Sequence, residues 1–386
     1  MNGRFFNSNK LTLTVTCASG TEKVVKSELE RLGYPSAPAI NGAITFTADA
    51  LAVARCNVNL RCADRVYIKL AEFTATTFDQ LFEGVEKIDW ADIVPKNGRT
   101  VVTGKCVKSQ LFAISACQSI VKKAIMQKMS KSYGLTHFSE KGETYGVEFS
   151  IYKDVVCVYL NTSGAGLHKR GYRDLVGIAP IKETLASALL LMSDFYYKRP
   201  FLDPFCGSGT MVIEGALIAL NVAPGLMRKF DFQDWQYFDQ TLYAQAVSEA
   251  KSKECRDREI NFVGSDVDVK AIKLAKRHAE RAGIADKVNF VVRDVADLQM
   301  QFEYGSIVTN PPYGERVYDI KQAEECYKNL GLALKNQRGW SVFAITSAKS
   351  FPRYFGRKPD REKKIFNSNK ECRFYYYYDQ KEKQND

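Results

Sequence analysis

Two short stretches carry residue types whose spacing suits group-transfer chemistry. The first, Phe201-Leu202-Asp203-Pro204-Phe205-Cys206-Gly207-Ser208-Gly209-Thr210, is an apolar strand ending in an acid and a glycine turn, and it opens into the helical run Met211 to Leu220. A strand that feeds a Gly-rich turn and then a helix places a small nucleotide-like ligand over the strand's carboxyl end, against the helix N-terminus. A dinucleotide fingerprint would need a third glycine where Val212 stands, and a P-loop would need a Lys-Ser/Thr pair after the glycines, so neither applies. The second stretch, Ile307-Val308-Thr309-Asn310-Pro311-Pro312-Tyr313-Gly314, again ends an apolar strand. Alone, Asn-Pro-Pro-Tyr is a rigid turn, because proline fixes its own φ and pushes the preceding residue toward extended geometry. In a doubly wound sheet, however, the ends of these two strands face each other across the switch-point crevice, which predicts one shared cleft.

Three acids stand at successive strand ends. Asp203 precedes the glycines, where an anion can accept from an ammonium; Asp266 ends Phe262-Val263-Gly264-Ser265; Asp294 ends Phe290-Val291-Val292-Arg293. A carboxylate in the place of Asp266 can accept both hydroxyls of a ribose. Asp268 competes for that role and is otherwise a helix cap. In the second motif the Asn310 side-chain oxygen and the Pro311 carbonyl can each accept one N–H, the paired prolines hold them rigid, and Tyr313 offers an aromatic face for stacking.

Both motifs resemble those of the class I S-adenosylmethionine-dependent methyltransferases that methylate exocyclic amines of nucleic-acid bases. The resemblance implies S-adenosyl-L-methionine as cofactor, its methionine part held by Asp203, Phe205, Cys206, Gly207, Ser208, Gly209 and Thr210. It also implies that Asp294 accepts from the adenine amino group and that Asn310, Pro311, Pro312 and Tyr313 form the catalytic motif. Cys206 is structural in this reading, since the chemistry needs no nucleophilic thiol.

The rest of the chain must position these residues. With 386 residues there is room for two or three domains, and 45% hydrophobic with 26% charged residues describes an ordinary globular protein. The net charge of +11 favours a polyanionic partner. Ten scattered cysteines without a Cys-x-x-Cys pair read as free thiols in a reducing cytoplasm, and three distant histidines give no metal site. Met1 to Lys10 is polar, unlike a signal peptide, and no run approaches 18 apolar residues.

Alternating strands and helices predict an α/β protein. Residues 1–64 open as β-α-β-α, with strand Leu11 to Thr16, helix Thr21 to Leu32, strand Ile40 to Thr47 containing an Asn41-Gly42 turn signal, and helix Asp49 to Leu60, a ferredoxin-like pattern. Residues 65–163 add strands at Val66 to Phe73, Arg99 to Val107, Thr144 to Ile151 and Val155 to Leu160. Their helices are Phe78 to Lys87 and Ser115 to Met129, the second with Ser115 as expected N-cap and Lys122 and Lys123 on its outer face. The element order and the Ser-Ala-Cys-Gln-Ser-Ile-Val-Lys-Lys-Ala-Ile run resemble a THUMP RNA-binding domain. Residues 164–180 form a linker containing Lys169, Arg170 and Arg173, either a phosphate-contacting segment or an exposed hinge. Residues 181–386 give a Rossmann-like seven-stranded methyltransferase pattern with a closing hairpin.

The whole chain therefore resembles the THUMP-bearing 23S rRNA (guanine-N2)-methyltransferases. That implies N2-methylguanine formation in 23S rRNA or a pre-ribosomal particle, with RNA contacts from Lys122, Lys123, Lys169, Arg170 and Arg173. Adenine-N6 methylation of DNA or RNA is the alternative that Asn-Pro-Pro-Tyr leaves open. A non-catalytic RNA-binding assembly factor would not need the intact glycines and acids.

Overall fold

A computed structural model describes residues 4–8, 10–35, 39–40, 42–173, 181–314 and 319–379; Asn41 of the expected turn and residues 174–180 of the linker lie outside them. In chain order the first half contains β1 (Leu11–Cys17), α1 (Glu22–Arg31), β2 (Ala43–Ala48), α2 (Leu51–Asn59), β3 (Ala63–Thr74), α3 (Phe78–Glu86), β4 (Arg99–Val107), α4 (Ile114–Tyr133), β5 (Thr144–Tyr152) and β6 (Val155–Asn161). The second half contains α5 (Glu183–Met192), β7 (Phe201–Asp203), α6 (Thr210–Ala219), α7 (Gln240–Lys251), β8 (Phe262–Asp266), α8 (Val269–Arg281), β9 (Val288–Val292) and β10 (Gly305–Thr309). It closes with α9 (Ile320–Leu334), β11 (Trp340–Thr346), α10 (Phe351–Phe355), β12 (Arg361–Asn367) and β13 (Lys370–Tyr377).

The contacts divide the chain into two compact units, one of residues 1–16, 26–167 and 229–249, the other of residues 17–25, 168–228 and 250–386. In the first unit one six-stranded sheet runs β2-β1-β3-β6-β5-β4, so the ferredoxin-like strands and the THUMP-like strands share a single sheet. The long strand β3 joins them, with a register shift between Lys69 and Ala71. Along β5 burial alternates, and Tyr145, Val147, Phe149 and Ile151 point into the core; this is the period-two pattern of a half-buried strand. Helix α4 starts two residues earlier than a Ser115 cap would place it. Ala113 occupies the cap position and makes no side-chain cap bond, so Ser115 lies inside the helix.

The stretch 229–249 completes this unit from far along the chain. Trp235 is 1% exposed, stacks on Tyr145 with ring centroids 5.2 Å apart, and donates its indole N–H to the Thr144 carbonyl at 2.9 Å. From Glu249, on α7, the carboxylate receives two guanidinium N–H groups of Arg55, at 2.6 and 2.7 Å.

The second unit is built on a seven-stranded sheet ordered β12-β13-β11-β10-β7-β8-β9. Five neighbouring strands from β11 to β9 run parallel, and β13 inserts antiparallel between β11 and β12. One apolar cluster includes α5, α6 and α8 residues such as Leu189, Ile213 and Ala275, and a second includes Tyr327 and Leu330 of α9 with Phe351. Order reverses between β7 and β10, whose parallel register pairs Leu202 with Ile307. The two motifs thus leave adjacent strands at the same end of the sheet, as the switch-point rule requires.

Trp235→Ala should destabilise the first unit by about 3–5 kcal/mol, the usual cost of emptying a buried aromatic site. Urea unfolding followed by Trp90 fluorescence in the variant should show an earlier transition; an unchanged midpoint would mean that the 229–249 stretch contributes no packing.

Candidate active site

The cofactor-type turn is held at every residue. Gly207 has φ +51° and Gly209 +83°, values that side chains rarely adopt, and a Cβ on Gly209 would lie 2.8 Å from the Phe290 ring. The turn therefore brings bare backbone to the start of α6. The Cys206 N–H donates to the Ser265 carbonyl at 2.9 Å, and the Gly207 N–H donates to Asp266 Oδ2 at 2.9 Å. His278, buried in α8, places Nδ1 3.2 Å from the Ser208 carbonyl oxygen, and Arg173 donates to the Thr210 hydroxyl.

Asp203 ends β7 at 3% exposure. Burial pushes its carboxyl up to about 7, against the Thr309 hydroxyl and the Phe205 N–H, which favour the charged form. The Thr309 hydroxyl donates to Asp203 Oδ1 at 2.6 Å, a direct bond from the last residue of β10 to the last residue of β7. Burial also raises Asp266, which accepts from the Asp268 N–H at 3.0 Å as well as from Gly207. Asp268 caps α8 through the Lys270 N–H at 2.8 Å, which accounts for it without a ligand. Asp294 is exposed at the end of β9 and accepts the Ala296 N–H at 2.9 Å. Cys206 is buried, and burial holds its thiol far above the ordinary range, which suits packing and not nucleophilic attack.

At the second motif Tyr313 donates its hydroxyl to Asn310 Oδ1, and Tyr327 donates to the Pro312 carbonyl. The Lys370 ammonium sits 5.1 Å from the centre of the Tyr313 ring. The second lone pair of Asn310 Oδ1 is what an incoming amine can use. Glycine turn, three strand-end acids and Asn310 thus occupy one end of one sheet. The bare turn and the carboxylates at neighbouring strand ends fit a zwitterionic amino acid joined to a nucleoside.

The cations expected to meet phosphate are placed differently. Arg170 is 1% exposed and faces the fully buried Glu214 at 3.4 Å, so it is not a phosphate contact. Tyr172 and Ser187 also donate to Glu214, at 3.1 and 2.6 Å. Arg173 has 10% side-chain exposure and pairs with Glu183 at 3.2 Å, which likewise takes it from RNA. Of the three cations Lys169, Arg170 and Arg173, only Lys169 is exposed. Lys122 is paired with Glu140 and also donates to the Thr100 carbonyl at 2.8 Å, and Lys123 lies over the Phe82 ring at 5.9 Å. Sequence reasoning missed Glu214, Thr309 and His278. The first did leave a signal, a lone acid inside the otherwise apolar helix Thr210 to Ala219.

Three family models match successive parts of the chain. A model described as RMKL-like, methyltransferase domain, matches residues 170–375, one for the RlmL ferredoxin-like domain matches residues 12–67, and one for the THUMP domain matches residues 75–161. The chain is 43% identical over 371 residues, 96% of either chain, to YpsC of Bacillus subtilis (strain 168), whose name assigns it provisionally to the RNA methyltransferases. A Listeria monocytogenes protein described as a predicted N6-adenine-specific DNA methylase superposes with TM-score 0.92 at 42% identity, covering 98% of this chain and 99% of that one. The methyltransferase SMU.472, so described provisionally and solved with S-adenosylhomocysteine (SAH), superposes with TM-score 0.92 at 35% identity, covering 97% and 100%.

Asp203 makes stability depend on pH in a definite direction. Its carboxyl ionises near 3.8 when unfolded and near 7 when folded, so between these values the folded chain holds the extra proton and stability falls as pH rises. Urea unfolding of the second unit should lose up to about 1.4 kcal/mol per pH unit over this window from this group. Asp203→Asn should remove that slope; an identical slope in the variant would refute the buried, proton-holding assignment.

Proposed function

This chain belongs to the RMKL-like methyltransferase family and carries RlmL ferredoxin-like and THUMP domains, and from that premise we propose that it methylates N2 of a guanine in 23S rRNA. It would act in the cytoplasm on the rRNA or on a pre-ribosomal particle. The observation that carries methyl transfer to an exocyclic amine is the Thr309 to Asp203 bond, which joins the Asn-Pro-Pro-Tyr strand to the proposed cofactor strand. The THUMP match and the name of the Bacillus relative support RNA as substrate, and the RlmL-type front domain supports large-subunit rRNA. Adenine-N6 transfer is the second reading, favoured by the description of the Listeria relative. Residues 1–64 and 65–163 are assigned to substrate capture, 164–180 to the join, and 181–386 to chemistry.

In this division Asp203, through ionisation, takes the ammonium of S-adenosylmethionine, the Gly207 to Thr210 turn lies against its methionine part, and Asp266 and Asp294 take the ribose and the adenine amine. When bound, the cofactor supplies a methyl group activated by a sulfonium. Asn310 Oδ1 and the Pro311 carbonyl accept the two N–H groups of the target amine and draw its nitrogen out of conjugation, so the lone pair is aimed at the methyl. The nitrogen gains the methyl and loses one proton to solvent. Tyr313 supports the base.

Mass analysis of rRNA nucleosides from a deletion strain should show loss of one N2-methylguanosine, restored by the wild-type gene. Loss of an N6-methyladenosine, or of nothing, would reject the assignment. Asn310→Ala should slow single-turnover transfer by about 100-fold or more, the scale of a lost charge-stabilising contact. Its affinity for SAH, measured by calorimetry, should stay within about twofold, the error expected for a group assigned to the base alone.

A further inference from the structure

The helix cations Lys122, Lys128 and Lys131 each have a carboxylate partner in the first unit, Glu140, Asp89 and Glu86. The opposite side of the sheet is different. Even-numbered residues of β4 turn toward α4, as shown by Lys122 donating to the Thr100 hydroxyl and by the 4.0 Å approach of Cys106 and Cys117 sulfurs. Arg99, Val101, Thr103, Lys105 and Val107 therefore face outward, and all five are exposed. Among the described residues, Arg99, Lys105 and Lys108 have no ion-pair partner.

At the end of β4 the surface becomes aromatic and apolar. Val107 is 45% exposed and Phe112 80%, and Tyr152 and Val155 follow across the sheet at 38% and 39%. Register sets Val107 opposite Tyr152 and Tyr152 opposite Val155. The loop after β4 is fixed over the turn between β5 and β6: the Gln110 N–H donates to Asp154 Oδ1 at 2.7 Å, and the Asp154 N–H to Ser109 at 3.1 Å. Lys153 lies over the Tyr152 ring at 5.5 Å.

Edge strands commonly carry Lys and Arg to prevent pairing with other chains. That explains the cations and leaves the exposed Phe112, Val107 and Tyr152 without a reason, since clustered exposed apolar side chains mark binding surfaces. Unpaired cations about 20 Å apart along the strand, from Arg99 to Lys105, ending in aromatic faces, match what unstacked nucleotides offer: phosphates to the cations and bases to the rings. Duplex RNA keeps its bases stacked and cannot use the rings. We propose that the outward face of β4 with the 108–113 loop is a docking surface for single-stranded RNA, a step that rests on the RNA reading above.

The test uses the full chain and a fluorescein-labelled 12-nucleotide single-stranded RNA, with its duplex as control. Phe112→Ala should weaken single-strand binding about 5- to 100-fold while leaving duplex binding unchanged. Lys105→Ala/Lys108→Ala should lower the salt slope by about 1.4. Affinity for SAH should be unchanged in both variants, and an unchanged urea transition of the first unit shows that the substituted unit folds. If wild type binds and methylates RNA but both variants retain its affinity and salt slope, the surface assignment is wrong and the functional reading stands. If the variants lose only binding to ribosomal protein, the surface takes protein and the proposal falls. Absence of any methyl transfer to RNA by wild type would remove the reading itself and this inference with it.

Discussion

The catalytic unit depends on one buried hydrogen bond, from the Thr309 hydroxyl to the Asp203 carboxyl. Asp203 has to sit at the strand end to serve a ligand, yet there it is almost wholly shielded from water, and a carboxylate without partners in that place would be strongly disfavoured. Thr309 and the Phe205 N–H supply those partners. Because Thr309 immediately precedes Asn310, the bond that satisfies the buried Asp203 also fixes where the residues proposed to hold the amine begin. In the proposed reaction, packing of β7 beside β10 is thus a requirement of the chemistry as well as of the sheet. The raised carboxyl further implies that a bound ammonium would draw a proton off Asp203, coupling cofactor capture to pH.

A second constraint lies behind the glycine turn. Glu214 and Glu183 are buried acids on α6 and α5, and Arg170 and Arg173 are brought to them by the segment that follows the first half of the chain. Removing one partner of such a pair leaves an uncompensated charge and typically costs about 3–5 kcal/mol. Arg281 adds bonds to the Gly171 and Tyr172 carbonyls at 3.2 and 3.0 Å. A stretch with the composition of a phosphate-binding linker therefore acts as an internal strap on the cofactor helix. Arg170 and Arg173 neutralise the protein's own acids.

Much of this could be read from residue order. The strand-turn-helix at Phe201 to Leu220 and the strand before Asn310 are local patterns, and the sheet places them side by side as the reversal of strand order demands. Asp268 was separable from Asp266 only by geometry, because a cap and a candidate ligand acid look alike when they stand two residues apart at a strand end. The strap was misread because composition reports charge and not burial; Arg170 and Lys169 are neighbours, and one is buried while the other is exposed. The joining of six strands into one sheet, and the use of residues 229–249 to complete it, depend on contacts between distant segments that no local period encodes.

The coupling between the two motifs can be measured with Thr309→Val, which keeps the shape and removes the donor. Loss of the hydroxyl pushes the Asp203 carboxyl further up, so SAH affinity at pH 7 should fall roughly tenfold, the scale of a hydrogen bond to a charged group. Single-turnover methyl transfer at saturating cofactor should fall as well, because Asn310 loses its fixed origin. Calorimetry and quench-flow on the one variant report both quantities. Weaker SAH binding with an unaltered transfer rate, or no change in either, would contradict the claim that this bond makes one site of the two motifs.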